Sequence, residues 1–390
     1  MSEEAKKPTL TTYDFPQYRV AVAENGDRFI TAKDKKFHLA FRKADGLTLK
    51  WGEKQEDDPT HCPWGNEIAD IEVTTACSGI RDKDGNRAPC PFCYKSNTPN
   101  GLYMSFDTFK VIFDKMNQPK TMTQIAFGVD AECKTNPDIW RIMDYAIENG
   151  VVPNVTVADI DQQVAENIVR RCGACAVSCY ERNKNCCYDS IQLLTDEAKS
   201  QNKPCFKVNM HLLVSHETEK FVFEVLKDRL EDERLKDMGA IVLLSMKQKG
   251  RGKAFRKMDD KVFNEVICFL QDHHIPYGSD SCGANRLMVA LKEYYNGTKD
   301  GDKLYQMALS SIEPCESTLY SFYVNSDGKA FPCSFMEGED GWEEGIDLMD
   351  DKYKNFTTQV WNHPRVLEWR QNAIRCIECK GCNQCPHYEI

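Results

Sequence analysis

Between Ala69 and Tyr277 the chain alternates, six times over, a short apolar run rich in β-formers with a longer stretch of helical periodicity. The β-rich runs lie near 69–75, 122–128, 151–157, 173–179, 205–213 and 239–246, and the helical patterns near 105–117, 137–149, 162–171, 189–200, 217–230 and 260–272. Strands connected through helices line up in parallel, with the helices packed outside the sheet. This predicts an α/β fold whose chemistry gathers at the C-terminal ends of the strands, where the loops converge. Apart from this alternation, the sequence has no internal repeat and no low-complexity tract.

The flanks read differently. Arg19–Ala23 and Arg28–Thr31 enclose Glu24-Asn25-Gly26-Asp27, which predicts a hairpin about an Asn-Gly turn. Phe37–Arg42 reads as a further strand, and Trp51–Thr60 as an acidic polar linker. Two roles suit this prefix: a small sheet that caps the larger one, or a surface for the leader peptide of a substrate. After Tyr277 the alternation breaks at Gly278–Asn285, and a helix runs to about Tyr295. Tyr320–Val324, Asn325–Lys329 and Ala330–Phe331 then read as strand, turn and strand.

Nineteen cysteines in 390 residues constrain the class further. A disulfide scaffold belongs to an oxidising compartment, but Met1–Leu10 is polar and lacks the basic and apolar regions of a secretory signal. The longest apolar stretch, Ala240–Leu244 with Met246 beyond it, is too short to span a bilayer. These features predict a cytoplasmic protein with no membrane partner, in which clustered cysteines serve as metal ligands. A net charge of −10 argues against a dedicated nucleic-acid binder.

Two cysteine groups carry chemistry. Cys77 comes just past the first β-rich run, and Cys90 and Cys93 follow in Cys90-Pro91-Phe92-Cys93-Tyr94. Three thiolates hold three corners of a four-iron, four-sulfur (4Fe-4S) cube and leave one iron open. At the other end Cys376, Cys379, Cys382 and Cys385 have two residues between each and are followed by Pro386. This is close to the ferredoxin run whose fourth cysteine serves a different cluster. Upstream, Cys315 and Cys333 bracket the predicted hairpin, with Gly328 in its turn. Zinc is the competing reading, since Cys376, Cys379, Cys382 and Cys385 satisfy a tetrahedral site, although Cys315 and Cys333 are then unused.

These spacings resemble the radical S-adenosylmethionine (SAM) superfamily, in particular its enzymes with a C-terminal SPASM or twitch auxiliary-cluster domain, over about residues 65–390. The family's first motif is usually Cys-x3-Cys-x2-Cys with an aromatic before the last cysteine. Phe92 fits it, while twelve residues separate Cys77 from Cys90; the insert, Ser78–Pro89, holds the turn-forming Asp82-Lys83-Asp84-Gly85-Asn86. The resemblance implies a partial (β/α)6, TIM-like barrel over 69–277. A β-rich prefix and linker, 1–68, precede it, and a SPASM-like, cysteine-rich iron–sulfur domain, 278–390, follows. It implies Cys77, Cys90 and Cys93 as the catalytic set that holds the SAM-binding 4Fe-4S cluster. It assigns Cys376, Cys379 and Cys382 to one auxiliary cluster, Cys315, Cys333 and Cys385 to another, and Cys282 as a further ligand. Around SAM it places Phe92, then Gly128 with Asp130 or Glu132 as a degenerate form of the family's Gly-Gly-Glu strand end, and Ser178 and Glu181 against the ribose. Arg251 is singled out in the basic segment Lys247–Lys257, which would receive the carboxylate of SAM, an acidic substrate or an acidic flavodoxin.

The activity implied is reductive cleavage of SAM to methionine and a 5′-deoxyadenosyl radical that abstracts hydrogen, with electrons from a flavodoxin or ferredoxin-type reductant. Auxiliary-cluster members mostly oxidise or crosslink a peptide or protein side chain, which makes such a side chain the expected substrate. Ser334 follows Cys333 where the sulfatase-maturing subgroup carries Asp, and this disfavours formylglycine formation. A small-molecule or nucleotide-derived substrate is the alternative among enzymes, and a non-catalytic iron–sulfur electron carrier the alternative outside them. Cys172, Cys175, Cys179, Cys186 and Cys187 fall on and after a predicted buried strand and are read as packing, because buried cysteine behaves as a small hydrophobe.

Overall fold

The computed structural model describes residues 9–54, 58–313, 315–339, 341–378 and 385, the side chains of 376–378 excepted. Five strands come first: β1 (Leu10–Asp14), β2 (Tyr18–Ala23), β3 (Arg28–Ala32), β4 (His38–Arg42) and β5 (Leu47–Trp51), antiparallel in sequence order. Gly26 turns the β2–β3 hairpin at φ +90°, a conformation costly for any residue with a Cβ. β5 takes in Trp51, so the predicted linker begins one residue later than the composition suggests.

One face of this sheet is apolar, with Val20, Ile30, Leu39 and Phe41 buried against Trp64 and Val152. Arg28, 3% exposed, reaches from β3 to donate to the carbonyls of Met122, Gly150 (2.9 Å) and Lys120 (3.3 Å). Met122 and Gly150 each lie just ahead of a strand of the larger sheet, so the prefix covers the N-terminal ends of those strands. A buried acceptor without a donor costs about 1–3 kcal/mol. Arg28→Ala is therefore expected to lose about 3 kcal/mol of unfolding free energy, read from the urea midpoint. A loss below about 1 kcal/mol would show that this contact does not fasten the prefix.

The larger sheet is built from β6 (Ile68–Glu72), β9 (Gln124–Gly128), β10 (Val152–Val157), β11 (Ala174–Cys179), β12 (Lys207–Val214), β13 (Ile241–Ser245) and β14 (Tyr277–Ser279). Each pairs in parallel with the next. A short ribbon, β7 (Ile80–Arg81) with β8 (Arg87–Ala88), stands after β6. The connecting helices are α1 (Phe106–Met116), α2 (Ile139–Glu148), α3 (Gln162–Arg171), α4 (Lys184–Ser200), α5 (Glu219–Glu231) and α6 (Asp260–Asp272). α3 shows why these segments are helical. The Asp161 side chain caps it by accepting the Val164 amide, Val164, Ala165, Ile168 and Val169 form the buried stripe, and Arg170 and Arg171 meet the negative end of its dipole. Beyond β14 come α7 (Ala284–Tyr295), α8 (Gly301–Leu309), β15 (Ser321–Val324), β16 (Lys329–Phe331), β17 (Ile346–Asp347), a π-helical turn at Phe356–Trp361, and α9 (Pro364–Glu378).

β15 pairs in parallel with β6, and β16 and β17 follow it antiparallel, so the hairpin between Cys315 and Cys333 continues the larger sheet past its first strand. Along the parallel strands Ile125, Val155, Cys175, Leu212 and Leu243 are buried in the core with the helices. The alternate residues Asp70, Ala126, Thr156, Ser178, His211 and Leu244 all line one cavity of about 460 Å³. A flat sheet cannot turn six successive strands toward one cavity, so this sheet is curved. Among the described residues no helix is long and apolar enough to cross a membrane.

Candidate functional site

Past β6 the chain reaches Cys77, whose Sγ accepts the Gly79 amide at 3.3 Å. The insert that separates it from Cys90 closes as the β7–β8 ribbon, with Gly85 at φ +87° in the turn. Arg87 and Arg81 of this ribbon pair with the buried Asp159, beyond β10, at 2.5 and 3.3 Å, and Arg182 holds Asp82 at 2.8 Å. The insertion is thus pinned across the strand ends while Cys77, Cys90 and Cys93 stay on one cavity wall. Arg251 closes the loop: Nε donates to the Cys90 carbonyl at 2.8 Å, Nη1 to that of Asn97 at 3.0 Å, and its amide to that of Cys93 at 3.1 Å. Gly250 permits the approach, because a Cβ there would stand 2.3 Å from the Tyr94 carbonyl oxygen.

Burial, with the charges of Cys93 and Cys77, pushes the Cys90 thiol up to about 12 against the pull of Arg251. A thiol raised in this way keeps its proton until a metal supplies positive charge. No group of three or more His, Cys, Asp or Glu among the described residues is set to hold a metal ion. A 4Fe-4S cube stands between its thiolates rather than at one shared point, and three sulfurs around one cavity suit that larger group.

A second cavity, about 400 Å³, adjoins the first and is lined by Cys282, Cys315, Cys333 and Cys385. Burial raises Cys282, pushes Cys315 up to about 11 and Cys333 up to about 12, and each is raised further by others of the four. Cys282, a supplementary ligand by resemblance, stands with the three cysteines assigned to one cluster. Asp280 shapes its turn by accepting the Ser245 amide (3.2 Å), the Ser245 hydroxyl (2.9 Å) and the Gly283 amide (3.0 Å), and pairs with Lys247. Ser317 Oγ donates to the Pro332 carbonyl at 2.8 Å and accepts Trp369 Nε1 at 3.1 Å, joining the Cys315 and Cys333 loops to α9. Cys379, Cys382 and the side chain of Cys376 lie outside the described residues.

Asp70, Cys90, Cys93, Tyr94, Tyr180, Leu244 and Ser334 line both cavities. Phe92 lines the second, its ring 4.4 Å from that of Tyr180. Gly128 and Ser178 line the first, and a Cβ on Gly128 would crowd Glu72 Cα at 3.0 Å. Asp130, Glu132 and Glu181 line neither. Asp130 accepts the amides of Glu132, Lys134 and Thr135 at 3.1, 3.0 and 2.9 Å and so caps its own loop; Glu132 pairs with Arg87 at 2.9 Å, and Glu181 is exposed. An acid near a strand-end glycine serves here to hold the loop rather than to face the cavity.

The basic segment is a bridge more than a landing surface. Lys247 pairs with Asp280, Lys249 Nζ donates to the Phe335 carbonyl at 2.7 Å and pairs with Glu339 at 3.1 Å, and Arg251 binds the Cys90–Asn97 loop. It joins the two cysteine loops. Lys95, two residues past Cys93, does the same from the other side, with Nζ 2.7 Å from the Tyr323 hydroxyl, 3.3 Å from Glu72 and paired with Glu337. Sequence reasoning missed Asp70 and His211. Both are polar residues at inward positions of apolar strands, and that pattern was the available signal. Burial lowers His211 to about 4, which keeps the imidazole neutral. Cys172, Cys175, Cys179 and Cys187 lie with Cys133 in the helix–sheet core.

No protein-family profile matches the chain, and no curated protein matches it in sequence. Among solved structures, SuiB of Streptococcus suis superposes over 83% of this chain and 72% of its own, with a TM-score of 0.57 at 12% identity. BtrN in complex with AdoMet and 2-DOIA (82% and 92% covered, 10% identity) and a truncated 3-deoxy-D-arabino-heptulosonate 7-phosphate synthase of Thermotoga maritima (82% and 90%, 9%) each reach a TM-score of 0.33, too low to relate the folds. The likeness to SuiB is therefore one of fold: a mixed α/β chain organised on a large parallel sheet.

Proposed function

We propose that this chain is a radical SAM enzyme acting on a peptide or protein side chain. The observation that carries the reading is the shared wall: a cavity lined by Cys77, Cys90 and Cys93 at the strand ends adjoins one lined by Cys282, Cys315, Cys333 and Cys385. An electron carrier has no use for such paired cavities, whereas a radical enzyme that passes an electron on from its substrate needs both. The curved sheet is read as a partial barrel of residues 69–277, with the five-stranded sheet of 10–51 at one end and the Cys282, Cys315 and Cys333 loops beside the cavities at the other.

In this reading Cys77, Cys90 and Cys93 hold the SAM-binding cluster, and the other four cysteines hold an auxiliary one. The bound cluster and SAM supply one-electron cleavage of the S–C5′ bond and hence a hydrogen-abstracting radical. The chain's residues position and enclose. Arg251 and Lys95 fix the cysteine loop from two sides. Gly128 leaves the end of β9 bare enough for a ligand to lie against its backbone, and Ser178 and His211 offer polar atoms beside it. Phe92, Tyr94 and Tyr180 give the cavity an aromatic lining that would limit water beside the reacting groups. Electrons would come from a flavodoxin or ferredoxin-type reductant.

Anaerobically reconstituted protein is expected to bind about eight irons per chain, or about twelve if a third cluster forms, counting about four per cluster. With SAM and dithionite it should release 5′-deoxyadenosine. Zinc in place of iron would overturn the cluster assignment. Iron without 5′-deoxyadenosine would leave the electron carrier as the better account.

A further inference from the structure

The charged groups on the walls of the two cavities are matched, with one exception. Glu72 pairs with Lys95 at 3.3 Å, Lys247 with Asp280, and Arg251 is taken up by two carbonyls. Asp70 lines both cavities, and among the described residues no hydrogen bond or ion pair reaches its carboxylate. It is the third residue of β6, turned inward, beside a lining of Tyr94, Tyr180, Leu244 and cysteine sulfur. The hydroxyl of Tyr94 is directed to Ser334 Oγ at 3.2 Å and so is not offered to Asp70.

Asp70 is half-buried on the cavity wall. A carboxylate so placed without a partner is only partly hydrated, and a ligand that fills the cavity and brings the counter-charge gains by pairing with it. We propose that Asp70 anchors a cationic group of the substrate, a primary amine or guanidinium such as a lysine or arginine side chain presents. This rests on the reading of the first cavity as the SAM side and the second as the auxiliary-cluster side. SAM is also a cation, but Asp70 is reached from both cavities, and the molecule that must lie between the two cysteine sets is the substrate.

The test uses full-length, anaerobically reconstituted protein with SAM present, and reads binding by calorimetry. The probes are Nα-acetyl-lysine methylamide, Nα-acetyl-arginine methylamide and the neutral Nα-acetyl-norleucine methylamide. A cationic probe is expected to bind about tenfold or more tighter than the neutral one, as close charge pairs in a desolvated site do. Asp70→Asn should abolish that preference, and Asp70→Ser serves as a second variant if the first does not fold. Equal binding of the probes, no binding of any of them, or a preference that survives both variants overturns the proposal. So does a loss of affinity for SAM with the probe preference intact, which would assign Asp70 to SAM. Wild-type 5′-deoxyadenosine release is measured on the same sample. Its absence alongside a cation preference removes the functional reading and leaves the anchor standing.

Discussion

Replacing Cys77, Cys90 and Cys93 together by Ala is expected to bring 5′-deoxyadenosine release by the reduced protein down to the buffer background and to remove about four irons per chain. The three sulfurs line one wall and none belongs to the hydrophobic core, so the variant should fold. Cys282, Cys315, Cys333 and Cys385 are untouched, and the loss of iron should therefore be partial. The remaining electron paramagnetic resonance signal should not respond to SAM. Release equal to that of the wild type, or a signal that still shifts with SAM, would place the SAM-binding cluster elsewhere.

Cys282→Ala with Cys315→Ala gives the reciprocal result. Two thiols cannot hold a cube, so about four irons should again be lost, but the signal left behind should now shift when SAM is added. The effect on stability should also be larger. Cys282 follows β14, Cys315 precedes β15 and Cys333 follows β16, so one bound group would tie together three loops that are remote in sequence. A metal that organises a fold supplies much of that fold's free energy, and several kcal/mol of it should disappear from the denaturant midpoint. An iron content unchanged from the wild type would show that these cysteines hold no cluster.

Several parts of the fold were legible because each rests on a local rule. α3 begins at its Asp161 cap and ends after its two arginines, as period and capping require. β14 was not legible. Tyr277–Ser279 is three residues long with Gly278 at its centre, and it is a strand because Ile241–Leu243 pairs with it. β5 did carry a signal, the apolar alternation of Leu47, Leu49 and Trp51, but the acidic residues after it blur its end.

The site divides along the same line. Cysteine spacing points toward metal chemistry, and the structure adds which of these cysteines share a cavity wall. The acids after Gly128 were ambiguous, because a carboxylate on a loop caps amides as readily as it faces a ligand, and the direction of the Glu132, Lys134 and Thr135 amides decided it. A run of basic residues is ordinarily solvated. Lys247 and Lys249 are not, because their partners come from Asp280 and the 335–339 loop, which no local pattern places beside them. Asp70 gains meaning only once the inward face of β6 is known.

The pairing of β15 with β6 has a consequence for how the chain is made. As synthesis proceeds from the N-terminus, the strands from β9 onward can settle on one side of β6, but its other edge stays unpaired until Ser321–Val324 has left the ribosome. For most of translation the nascent protein therefore carries an open strand edge, the kind of surface that recruits other chains. A message truncated before Ser321 would yield a nearly complete sheet that aggregates rather than a smaller folded protein. Cys315 and Cys333 flank the hairpin that closes this edge, so protecting the sheet and bringing these two thiols to one cavity become a single late event in the life of the molecule.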